Sequence, residues 1–167
     1  MKTFQTMGIV LALTCASIPV SSLAADAAAK AAAKPANNKQ VERGQYLVMI
    51  TGCNDCHTPN FLVNGGKTAE SDRLVGGKLG WRGPWGTTYP VNLRLLFQEM
   101  SEEQWVQIAK EIQRRPPMPY FSLNAMSGPD VRAIYRYINS LGAAGAPAPK
   151  FLFSSATPPQ PFIQYPD

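Results

Sequence analysis

Gly52-Cys53-Asn54-Asp55-Cys56-His57 is the stretch on which the reading of this chain turns. Its Cys-x-x-Cys-His core has several chemical uses, and the rest of the sequence decides among them. A structural zinc site takes four protein ligands from Cys and His. His57 is the single histidine, and Cys15 lies in an N-terminal apolar run, so too few ligands remain for such a site. A thioredoxin-like dithiol needs a strand–helix–strand setting, which the flanking sequence lacks. A disulfide between two residues this close stabilises little, because the gain grows with the loop it closes. The remaining use is the attachment signature of c-type haem. Each thiol can form a thioether to one porphyrin vinyl group, and the adjacent imidazole faces the iron from the same side.

The composition suits one cofactor-bearing domain. The chain has 167 residues, 45% hydrophobic and 16% charged, with 16 Lys+Arg against 11 Asp+Glu and a net charge of +5. That is enough apolar material for one core, and the charge is too diffuse to indicate nucleic acid as a partner. With 13 glycines and 15 prolines, much of the chain is expected in loops. No apolar run reaches the roughly 18–20 residues of a membrane span.

Upstream of the motif, Lys2, the apolar stretch Met7–Val20 and the small residues Ser22-Leu23-Ala24-Ala25 form the three-part layout of a secretory signal. Residues 1–25 are read as a cleavable signal peptide and the mature chain as periplasmic. Thr14 before Cys15 does not fit a lipidation site. Residues 26–37, rich in Ala and Lys and ended by Pro35, read as a semi-rigid tether.

Downstream, the periodicity predicts an all-α domain of three to five helices and long loops over residues 38–142, with no strands. The first helix is expected from about Gln40 to Thr51, with Gly44 serving close packing against another element. Ser101-Glu102-Glu103-Gln104 opens a second helix as a capping box, and Ser127-Gly128-Pro129-Asp130 opens a last one that Gly142 stops. Residues 58–98, dense in Gly and Pro, are expected to fold around the haem, with Trp81, Trp85 and Tyr89 lining its pocket. Tyr89, Asn92, Arg82 and Arg94 are candidate donors to its propionates. Residues 143–167 carry six prolines and read as an extended tail that wraps the domain or stays mobile.

With His57 as one axial ligand, the other must come from elsewhere. A methionine thioether is the expected partner: Met118, set in Pro116-Pro117-Met118-Pro119, with Met126 next and Met100 as a third option. These features together resemble class I monohaem c-type cytochromes, and the resemblance covers residues 38–142. It rests on the N-terminal helix with Gly44, the Cys53-Cys56-His57 site, the proline-flanked methionine and a final helix with Tyr135. Cys-Asn-Asp-Cys-His-Thr and Gly83-Pro84-Trp85-Gly86 are similar to bacterial members that serve periplasmic dehydrogenases. The resemblance implies a class I cytochrome c fold around one covalent haem c, with the first and last helices crossing closely through a small residue.

It also implies an electron-transfer protein rather than an enzyme, with Cys53, Cys56, His57 and Met118 holding the cofactor and His57 and Met118 the iron. The expected partners are a dehydrogenase donor and an oxidase or cytochrome acceptor. Docking would be through an acidic partner surface that meets a basic rim of Arg114, Arg115, Lys67, Lys78 and Arg82. The alternative is a haem enzyme or gas sensor with a labile or absent sixth ligand. The lack of a second histidine for acid–base work weakens it.

Overall fold

The computed structural model describes residues 38–166, all within the unit that spans Lys34–Asp167. The signal-peptide and tether expectations lie outside the described residues. The first helix, α1, is Asn38–Ile50, and the motif follows at once as the short helix α2, Cys53–His57. Next come the hairpin strands β1, Gly80–Gly83, and β2, Gly86–Thr88, then the one-turn helix α3, Leu93–Leu96. Helices α4, Glu102–Glu111, α5, Tyr120–Ala125, and α6, Gly128–Ser140, complete the helical part. The tail supplies β3, Phe162–Gln164.

The crossing of α1 and α6 organises the core. Gly44 is buried there, and a Cβ on it would lie 2.0 Å from the Ala133 carbonyl oxygen. Only a residue without a side chain lets the two backbones approach so far. Leu47 and Val48 of α1 join Val131, Ile134, Tyr137 and Ile138 of α6, with Trp105 and Ala109 of α4, in one buried cluster. Burying each large aliphatic side chain contributes about 1.5–3 kcal/mol. The Phe97 ring packs tilted against Trp105, 4.6 Å between centroids, and the Trp105 Nε1 donates to the Val131 carbonyl at 3.0 Å.

The helix starts follow their sequence signals. Ser101 and Gln104 form a complete capping box on α4, and the Ser127 hydroxyl accepts from the Asp130 amide at the start of α6. Gly142 takes a φ of 70° just past the last helix. Helix α4 ends at Glu111, where Ile112 turns to extended dihedrals.

The all-α expectation is overturned. Among the described residues there are six α-helices and a three-stranded mixed sheet in the order β2-β1-β3. Strand β1 pairs antiparallel with β2, Trp81 opposite Thr88, across a Pro84-Trp85 turn, and parallel with β3, Trp81 opposite Ile163. These strands are three or four residues long, too short to show a period of two, and β3 comes from the far end of the chain. Gly83 and Gly86 carry the hairpin, since a Cβ at Gly83 would strike the Trp85 ring at 2.5 Å.

The tail wraps the domain. Leu152 exchanges two backbone hydrogen bonds with Thr87 (2.7 and 3.0 Å), and Arg82 donates to the carbonyls of Ala156 at 2.6 Å and Ser154 at 3.1 Å. No helix among the described residues is long and apolar enough to cross a membrane.

Candidate functional site

Gly52, with a φ of 73°, turns the chain out of α1 and into α2. One helical turn then sets Cys53 and Cys56 three positions apart, hence on one side, with His57 next in sequence. Both cysteines are free thiols, half-buried. Burial pushes both thiols above their ordinary range, and the Asp55 carboxylate adds to the effect. They are therefore protonated, weakly polar wall residues near neutral pH.

His57 is buried, and its Nδ1 lies 2.7 Å from the Val91 carbonyl oxygen. A carbonyl only accepts, so Nδ1 carries the proton and donates it. Burial pushes the imidazole below its ordinary value, against the opposing pull of that bond. The ring is thus neutral, with its lone pair on Nε2, and among the described residues nothing is hydrogen-bonded to Nε2. The Val91 bond fixes the ring's orientation and tautomer together.

The thiols and the imidazole open onto a cavity of about 310 Å³. Engineered apolar cavities of about 150 Å³ already take up benzene. Leu93, Leu96 and Phe97 form one wall, Ile134 and Ile138 another, and Trp81, Tyr89 and Pro90 a third. Met118 and Met126 both line it, as do Arg114 and Arg115. Met100 does not. It packs against the core, and its carbonyl accepts from the Tyr135 hydroxyl at 2.8 Å.

Several expected contributors are occupied elsewhere. Asn92 caps α3 and donates to the carbonyls of Ala144 and Ala146. Arg94 is buried in bonds to the Gly142, Ser71 and Leu141 carbonyls, and Arg82 holds the tail. Of the four proposed propionate donors only Tyr89 lines the cavity. Trp85 packs instead on Tyr165, with ring centroids 5.4 Å apart.

Residues 58–80 do not line the cavity either. This loop folds on the protein itself: Thr58 Oγ1 donates to Asn54 and accepts from the Leu74 amide, and Leu74 is fully buried at a φ of 61°. Lys67, Lys78 and Arg82 are thus absent from the cavity's lining, while Arg114 and Arg115 are part of it.

Two buried donors stand without a partner on the cavity-lining residues: the Trp81 Nε1 and the Tyr89 hydroxyl. The same holds away from the cavity for the Thr68 and Thr87 hydroxyls and the Trp85 Nε1, and an unmet buried polar group costs about 1–3 kcal/mol. Sequence reading missed the contributions of Pro149 and Phe151, which reach the cavity from the tail. No local pattern marks them. Among the described residues no group of three or more His, Cys, Asp or Glu side chains is placed to hold a metal ion.

Comparison of the chain with protein-family models, with curated proteins and with solved structures finds no match in any of the three.

Proposed function

We propose that this chain is a monohaem c-type cytochrome, a periplasmic carrier of single electrons between a dehydrogenase donor and a respiratory acceptor. Cys53 and Cys56 would hold haem c covalently, and His57 and Met118 would hold its iron. The observation that carries this reading is the convergence on one apolar cavity of two thiols, a neutral imidazole with a free Nε2 and the thioethers of Met118 and Met126. The unmet donors of Trp81 and Tyr89 add to it, since they suit the anionic propionates. Bound there, the haem would supply one-electron Fe(III)/Fe(II) chemistry, at a potential raised by thioether ligation.

The residues of the chain then have separate tasks. His57 keeps its ring fixed through Val91, which also raises the basicity of Nε2. Met118 sits half-buried on a loop stiffened by Pro116, Pro117 and Pro119, which limits the positions its sulfur can reach. Leu96, Phe97, Ile134 and Ile138 exclude water, so little solvent has to reorganise when charge changes. Arg114 and Arg115 place positive charge on the cavity's edge, where it favours an acidic partner surface.

The test is the visible spectrum of reduced protein matured in a periplasm, with and without CO, alongside its intact mass. One covalent haem and a low-spin spectrum indifferent to CO are expected. Met118→Ala should admit CO, whereas Met126→Ala should not. A mass without haem would refute the proposal. Ready CO binding by the wild type would refute the Met118 assignment and turn the reading toward a haem enzyme or sensor.

A further inference from the structure

The Met118 loop has few internal bonds, yet its position decides what the cavity can hold. Two side-chain contacts tie it to elements far away in sequence. The Thr88 hydroxyl of β2 donates to the Pro116 carbonyl at 3.0 Å. The Arg115 guanidinium lies over the Phe151 ring, 4.0 Å from its centroid. Phe151 itself is seated firmly. Its neighbour Leu152 is paired with Thr87 through both backbone bonds, and Arg82 holds Ser154 and Ala156. A Cβ on Gly86 would lie 2.7 Å from the Phe151 ring and 2.4 Å from the Leu152 carbonyl oxygen. The hairpin glycine thus makes the cradle in which the ring rests.

From this arrangement we infer that Phe151 is a positioning residue for Met118. The tail, laid along β2, presents an aromatic platform, and Arg115 docks on it through a cation–π contact. Because Arg115 and Met118 are joined by two prolines, fixing one end of this stiff segment fixes the other. Phe151 and Pro149 also form part of the cavity wall, so the strap closes the side from which the loop would otherwise swing outward. This assigns the Pro-rich tail a task in the site, and it rests on the reading of Met118 as a ligand.

The test compares wild type, Phe151→Leu and Arg115→Gln in the full chain. Hydrogen exchange of the Tyr120 amide, which donates to the Met118 carbonyl at 2.9 Å, is read with or without haem, and CO binding is read in the reduced holoprotein. A cation–π contact at an exposed guanidinium predicts that Phe151→Leu and Arg115→Gln speed exchange at that amide roughly two- to fivefold, with CO admission rising in step. Exchange in α1 stays unchanged in both variants. Arg115→Gln alters an exposed side chain, so it reports on the contact even if the Leu variant folds poorly. Unaltered exchange at Tyr120 and unaltered CO binding in both variants overturn the inference while leaving the haem reading intact. Wild type without covalent haem overturns the haem reading and the role of Met118 together.

Discussion

Gly44→Ala tests the crossing on which the whole domain is built. Within α1 the change is favourable, since alanine gains about 1 kcal/mol over glycine in a helix interior. Across the interface it is not. The new methyl would stand 2.0 Å from the Ala133 carbonyl oxygen, 2.6 Å from its carbon and 2.7 Å from Tyr137 Cβ. Ordinary contact begins at 3.4 Å, so α1 and α6 must part by about 1.4 Å. Two of the obstructing atoms are backbone, so no rotamer change relieves the clash. Separation strips packing from Leu47, Val48, Ile134 and Ile138, which share the buried cluster. Overpacking costs about 1–3 kcal/mol, and partial exposure of those side chains adds roughly 2 kcal/mol. After the helix gain, a net loss of about 3 kcal/mol remains, equivalent to a Tm lower by about 10 °C. Urea unfolding followed by circular dichroism measures it, with Gly128→Ala as control. Nothing lies within 4 Å of a Cβ at Gly128, so that variant should stay within about 0.5 kcal/mol of wild type. A Gly44→Ala protein as stable as the control would refute the account of the crossing.

Other outcomes follow from single contacts. The Tyr137 hydroxyl donates to Glu70 at 2.9 Å, and burial, then that bond, push its ionisation up to about 12 from the ordinary 10.0. The folded pKa is the higher one. The contribution of Tyr137 is therefore complete below pH 10 and fades as pH rises toward 12, and denaturant titrations in that window should be flatter for Tyr137→Phe. Burial alone would raise Glu102, but hydrogen bonds from Arg136 at 2.7 Å and Arg132 at 3.0 Å outweigh it and hold the carboxyl below its ordinary value. Its stabilisation is present above the ordinary pKa of 4.5 and is lost as pH falls through the folded value. Glu102→Gln should thus cost about 1 kcal/mol at neutral pH and little in acid, read from paired unfolding curves. Ser101→Ala removes the oxygen that accepts from the Gln104 amide and should lower stability by about 1 kcal/mol by the same assay.

The parts of this structure legible in the sequence are those whose cause is local. Ser101 and Gln104 announce the start of α4 because both ends of the capping box lie within four residues. The apolar spacing of Val131, Ile134 and Ile138 marks the buried face of α6, and Gly44 stands out because glycine in a helix needs a packing reason. Cys53, Cys56 and His57 fall together because one helical turn makes them neighbours. The sheet was hidden for the opposite reason. Trp81 finds Thr88 across a hairpin and Ile163 from the far end of the chain, and neither pairing leaves a periodic trace in strands so short. Arg94 shows the same limit in the site. A cationic side chain near a cofactor motif suggests a propionate donor, yet burial commits it to three carbonyls that only the fold brings to it.

This division between local and distant causes also runs through the cavity. The thiols and His57 stand on α2, directly joined to α1, whose crossing with α6 leaves no room for a Cβ at Gly44. The Met118 side has no such footing. Gln113 to Pro116 are exposed, and their anchors are a hairpin hydroxyl and an aromatic ring from the tail. Segments with few buried contacts open at lower free energy than core helices do. Opening of the site should therefore begin at the methionine, with the histidine side held to global unfolding. On the proposed reading as an electron carrier this asymmetry has to be suppressed, and the tail segment before β3 lies against that side. The sheet would then serve the site as well as the fold, since pairing of β3 with β1 holds the end of the chain whose Pro149 and Phe151 line the cavity.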